Sequence, residues 1–159
     1  MDAIDYLVKQ HRQLEEAFEA ALNATDAERG ALFGRAADVL MSHVLIEEEQ
    51  FYPAVKARRT EDILLESLEE HLSLKRLLAD LLELSPADPR FEAKLHVLKE
   101  QAEHHHKEEE EHLFPKVRKC LDRPGLEGLG RAMQAAQEEM LRGSPRERAR
   151  QQTAAAAPL

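Results

Sequence analysis

The sequence predicts an all-α protein, an up-down-up-down four-helix bundle with a short fifth helix after it. Three observations carry that expectation. Glycine and proline are sparse inside the long periodic stretches, and Leu, Ala, Glu, Lys and Arg dominate, so helix is favoured nearly everywhere. Apolar residues recur at spacings of three and four along four separate segments. At 159 residues the chain can bury one good core and is short for two.

The first helix runs from about Ala3 to Leu22, capped by Asp2, with Ile4, Leu7, His11, Leu14, Phe18 and Leu22 on one face. The pattern loosens from Asn23 to Gly30. The second helix lines up Phe33, Ala36, Leu40, His43, Glu47, Phe51 and Val55 and fades before Thr60. The third, from about Glu61 to Leu84, shows Leu64, Leu68, His71, Leu74, Leu78 and Leu81 before Ser85-Pro86-Ala87-Asp88-Pro89 breaks it. The fourth carries Phe91, Leu95, Leu98, Ala102, His105, Glu109, Leu113 and Val117 and ends near Asp122. Residues 1–122 are thus expected to be the bundle. Residues 123–142, with Leu126, Leu129, Met133, Ala136 and Met140 in phase, read as a short helix packed on it. Residues 143–159, arginine-rich and then alanine-rich, offer little to bury and read as a disordered tail.

Asp and Glu number 31 against 22 Lys and Arg, a formal charge of -9, which argues against nucleic acid or an anionic membrane as the main partner. The single cysteine, Cys120, excludes an internal disulfide, fits a reducing compartment, and reads as an inert apolar residue. No apolar run approaches the roughly 20 residues of a membrane span, and the chain opens on an amphipathic helix, so the expected location is cytoplasmic.

One phrase is written twice: His43-Val44-Leu45-Ile46-Glu47-Glu48-Glu49-Gln50-Phe51-Tyr52-Pro53, and His105 to Glu109 followed by Leu113-Phe114-Pro115. Each copy sets a His and a Glu one helical turn apart on an otherwise apolar stripe, as when helices hold a metal between them. In an up-down bundle, residues at one height are equidistant from the turn joining their helices. The midpoints from His11 to His43/Glu47, on to His71, and on to His105/Glu109 fall at Glu28, Arg58 and Pro89, in or next to the three connections. Six residues, His11, His43, Glu47, His71, His105 and Glu109, therefore converge on one layer.

Two buried carboxylates with no Lys or Arg on their own stripes need compensating charge, and a pair of divalent metals supplies it. Four imidazoles and two carboxylates exceed a closed four-coordinate zinc site; the mixed nitrogen and oxygen set suits iron, with manganese as competitor. In the His104-His105-His106 run, only His105 shares the stripe of Ala102 and Glu109, so His104 and His106 are expected to point to either side. His96 and His112 read as surface or boundary residues. Glu48 and Glu110 follow the ligand glutamates and could orient ligand imidazoles from outside. Tyr6 and Tyr52, each about a turn from a ligand, read as packing residues with tethered hydroxyls.

The order His, His-x-x-x-Glu, His, His-x-x-x-Glu, each pair followed by aromatic-Pro, resembles the hemerythrin-like HHE cation-binding domain over about residues 3 to 121. The resemblance implies a left-turning bundle around two iron ions with an oxo or hydroxo bridge, which in the family's carriers binds dioxygen reversibly. His11, His43, Glu47, His71, His105 and Glu109 match its ligands. The carriers place a second His one turn after the third-helix ligand, and here that position is Lys75. Either a vacant or water-filled position results, or Glu15, Glu48, Tyr6 or another oxygen donor completes it. The expected function is binding or sensing of dioxygen, or of nitric oxide or peroxide, at an open iron position, more a binding protein than an enzyme. The alternatives are a di-iron oxidase or peroxidase, an iron-handling protein, or a metal-stapled regulator that binds an unknown protein partner. Carboxylate-rich Glu-x-x-His oxidase sites differ from this histidine-rich set.

Overall fold

The computed structural model describes residues 1–159, and its regular elements are all helices. Helix α1 spans Ala3–Asn23, and the Asp2 carboxylate accepts from the Asp5 N–H at 2.9 Å to cap it. Helix α2 starts at Asp26 (Asp26–Ile46), passes through a π-helical turn (Glu47–Phe51) and ends as Tyr52–Val55. Helix α3 is Glu61–Leu82. Helix α4 repeats the design of α2: Pro89–Glu108, a π turn at Glu109–Leu113, then Phe114–Cys120. Helix α5 is Arg123–Leu141 and a short α6 is Glu147–Gln151.

The first connection is tighter than the loosened pattern from Asn23 to Gly30 suggests, because Arg29 closes it. Its guanidinium donates to the carbonyls of Ala21, Leu22 and Ala24 at 3.1–3.2 Å, satisfying acceptors that the end of α1 leaves open. At the second turn, the Thr60 hydroxyl donates to the Val55 carbonyl and accepts from the Ala57 N–H, both at 2.9 Å.

Two apolar clusters fill the bundle. One holds Leu14, Phe18, Phe33, Leu40, Leu78, Phe91, Leu95 and Leu98; the other holds Ile4, Leu7, Phe51, Val55, Leu64, Leu68, Leu113 and Val117. In each of α1 to α4 the first cluster lies toward one end from the His or His/Glu position and the second toward the other. A polar layer is therefore sandwiched between two dry ones. The second cluster also takes Leu126 and Met133 from α5, which lies on α1 and α2.

Residues 143–159 differ from the disordered tail expected of them. Ala149 is fully buried, the Arg76 side chain donates to the Thr153 carbonyl at 2.9 Å, and Ala156, Ala157 and Leu159 pack on the second cluster. Small alanine side chains can seat against a helix surface without the strong periodicity that marks a core element, so the pattern gave no sign of it. No helix is long and apolar enough to cross a membrane.

Candidate metal centre

The two π turns shape the site. Pro53 and Pro115 lack an N–H and crowd the carbonyl four residues back, so each helix widens by one residue just before its proline. The Tyr52 N–H then bonds the Glu47 carbonyl and the Phe114 N–H the Glu109 carbonyl, five residues away instead of four. In a regular helix Tyr52 would point about 140° away from Glu47. Here both face inward.

All six residues expected in the layer are at most 1% exposed. The His43 Nε2 lies 3.2 Å from Glu47 Oε1, and the His71 Nε2 lies 3.0 Å from Glu47 Oε2. Glu109 Oε1 stands 3.5 Å from His11 Nε2 and 3.3 Å from His105 Nε2. Donor atoms of His11, His43, Glu47 and Glu109 form one compact group, those of Glu47, His71 and His105 another, and Glu47 belongs to both. Each group can hold a metal ion.

Outer contacts fix how the imidazoles are presented. The Nδ1 of His11 faces Glu110 at 2.8 Å, that of His43 faces Gln10 Oε1 at 2.7 Å, that of His71 faces Glu48 at 2.8 Å, and that of His105 faces Glu70 at 3.1 Å. An oxygen acceptor at every Nδ1 keeps the proton there and turns the Nε2 lone pair inward. Glu48 and Glu110 thus do what their positions suggested; Gln10 and Glu70 join them from α1 and α3, where a one-helix reading had no means of finding them.

Burial opposes charge throughout the layer. For Glu47 that push is outweighed by His43, His105 and His71, which hold its carboxyl well below the usual range. His105 is driven well above its ordinary value against the same burial, by Glu109, Glu47 and Glu70. Burial pulls His43 down in spite of Glu47. Five buried atoms of the layer nonetheless lack any hydrogen-bond partner: Nε2 of His11, His43 and His106, and Oε1 of Glu47 and Glu109. Orphaned acceptors converging from several helices are what a metal would satisfy. The donor set fits one.

His106 and Tyr52 depart from expectation. His106 is not turned aside: it is 5% exposed and stacks on His11 with ring centroids 3.9 Å apart. Helix α4 borders α3 on one flank and α1 on the other, so its inward arc takes in two adjacent residues, His105 toward Glu70 and His106 toward His11. Tyr52 does more than pack, since its hydroxyl donates to Glu109 Oε2 at 2.9 Å and lies 3.2 Å from both Glu47 Oε2 and His71 Nε2. Lys75, 1% exposed, donates to Glu48 Oε1 at 2.8 Å. Of the oxygen donors considered for its place, Glu15 is exposed, Tyr6 bonds Gln137, and Glu48 is taken by Lys75 and His71. The Tyr52 hydroxyl stands beside His71 Nε2 instead. His96, His104 and His112 are exposed.

A helical bundle with two sets of buried imidazoles sharing carboxylates defines a metal-binding protein of the hemerythrin type. The family comparison agrees: the sequence model of the hemerythrin HHE cation binding domain matches residues 2–69 and 62–154. The chain belongs to that family of cation-binding domains. The chain is also similar to the crystal structure of a hemerythrin HHE cation binding domain-containing protein, an Rv2633c homolog from Mycobacterium kansasii, at 25% identity and a TM-score of 0.81, covering 96% of this chain and 99% of that one. A DNA nickase of Nostoc sp. (strain PCC 7120 / SAG 25.82 / UTEX 2576) is 26% identical over 141 residues, 88% of this chain and 40% of the nickase. The chain thus spans less than half of that relative.

Proposed function

We propose that His11, His43, Glu47, His71, His105 and Glu109 hold two iron ions with a shared oxygen bridge, and that the protein binds a diatomic ligand, dioxygen or nitric oxide, at an open position between the two apolar layers. The observation that carries this is Glu47, whose Oε1 faces His43 while its Oε2 faces His71, the reach of a carboxylate spanning two ions. Two ferrous ions, when bound, supply the electrons and the vacant position that such a ligand needs. The rest falls to the chain. Gln10, Glu48, Glu70 and Glu110 fix the imidazole tautomers. In the metal-free layer the Tyr52 phenol is kept protonated by burial and by Glu109 and Glu47, and its hydroxyl donates to Glu109. Phe51, Leu68 and Leu113 on one side and Leu14, Leu40 and Leu98 on the other keep water out, which favours release of the ligand unchanged over its reduction.

Tyr52 also favours a second reading, handling of peroxide, because a phenol against both carboxylates can deliver a proton and an electron. The nickase likeness carries no nicking activity here; a charge of -9 opposes DNA binding. Anaerobic loading with ferrous ion, followed by metal counting and by Mössbauer and optical spectra before oxygen, under oxygen and after its removal, tests the assignment. Two irons per chain and a spectrum that returns on deoxygenation are expected. Saturation at one metal sinks the pair, and irreversible bleaching with peroxide consumption favours the second reading.

A further inference from the structure

We infer that His106 is a third imidazole ligand for the metal held by His11 and His43. This rests on the two-metal reading above and adds a residue that reading does not use. Donor atoms of His11, His43 and His106 lie within 4.8 Å of one another, close enough to share one ion. The His106 ring stacks on His11 and meets His43 edge-on, with centroids 5.1 Å apart. Its Nε2 is buried without a hydrogen-bond partner, as are the Nε2 atoms of His11 and His43. A histidine kept only for packing would need no ring nitrogen there; Phe would stack on His11 as well and bury no unpaired polar atom.

The consequence is an asymmetric centre. Three imidazoles, from α1, α2 and α4, gather on one side. The other side has His71 and His105 with the Tyr52 hydroxyl beside them, and its third-helix neighbour Lys75 is engaged by Glu48. The extra nitrogen donor that Lys75 cannot supply to the α3 side is thus matched by one on the α1 side, contributed by the fourth helix. A neutral three-imidazole set suits a divalent transition ion such as ferrous iron.

The test uses the full chain with ferrous ion, loaded anaerobically and titrated against a chelator, with circular dichroism confirming the fold of each variant. Wild type should take two ions. His106→Phe, which keeps an aromatic ring to stack on His11, should lose one ion or bind it at least about tenfold more weakly. His106→Ala should do the same, and added free imidazole should restore the lost ion by filling the space left beside His11. If His106→Phe takes both ions with wild-type affinity, His106 only packs and the inference is overturned. Failure of the underlying reading looks different: wild type itself would not take two ions, and His43→Ala would change nothing.

Discussion

Lys75 and Glu48 illustrate how one residue's surroundings set its worth. An ammonium and a carboxylate, both nearly sealed from solvent and 2.8 Å apart, each lose hydration and regain it only through the other. Removing the lysine alone strands the carboxylate. Lys75→Met should therefore cost roughly 3–5 kcal/mol in denaturant unfolding of the metal-free protein, and adding Glu48→Gln should recover most of it; a double variant as unstable as the single one would show that shape, not charge, is what Lys75 supplies. The pair also has a pH signature. Burial raises the Glu48 carboxyl, but His71 and Lys75 outweigh it and hold it below its ordinary 4.5. Its stabilising contribution is complete above 4.5 and disappears as pH falls through the lower folded value. Tyr52→Phe removes a donor from between two carboxylates, and should cost about 1.5–3 kcal/mol in the metal-free protein, read in the same unfolding experiment.

At the level of elements, the four bundle helices and the fifth were legible because each repeats apolar residues at helical spacing, and His11, His43, Glu47, His71, His105 and Glu109 were legible because they interrupt those stripes at matched depth. What escaped was set by departures from a 3.6-residue period or by neighbours. The π turns shift Tyr52 into the site, and an ideal period placed it outside. His106 and Gln137 face a second neighbouring helix, which one helix's pattern does not describe. Gln137, at 8% exposure, receives hydrogen bonds from Tyr6 and Gln10 and donates to the Ser42 hydroxyl at 3.0 Å, while Gln10 in turn holds His43. Helix α5 is tied to the centre through that chain. Its close approach depends on Gly130: a Cβ there would meet the Met1 carbonyl oxygen at 2.5 Å and the Ala3 nitrogen at 2.9 Å. Alanine would gain about 0.5–1 kcal/mol of helix propensity but force backbone apart at a cost of about 1–3. Gly130→Ala should therefore lower the melting temperature, whereas an unchanged or raised value would mean that α5 shifts without resistance.

Over the whole molecule, the polar layer makes metal and proton competitors for the same atoms. Without metal, His105 retains its proton to well above 6.5, because Glu109, Glu47 and Glu70 outweigh its burial. That contribution is complete below 6.5 and is lost as pH rises through the folded value. Glu47, held well below 4.5, contributes above 4.5 and stops contributing as pH falls through its folded value. The metal-free bundle is thus best compensated between those limits. A metal ion must displace the imidazole protons, so loading releases protons and its affinity rises with pH. The melting temperature of the loaded protein minus that of the metal-free protein should then widen steadily from about pH 5.5 to about pH 8, since the loaded state gains affinity over the range where the metal-free state loses its imidazolium. Scanning calorimetry on both forms in matched buffers measures that difference, and calorimetric titration in buffers of different ionisation enthalpy counts the protons. A difference that stays flat or narrows as pH rises, with no protons released, would place the metal away from His105 and leave the layer as a hydrogen-bonded core.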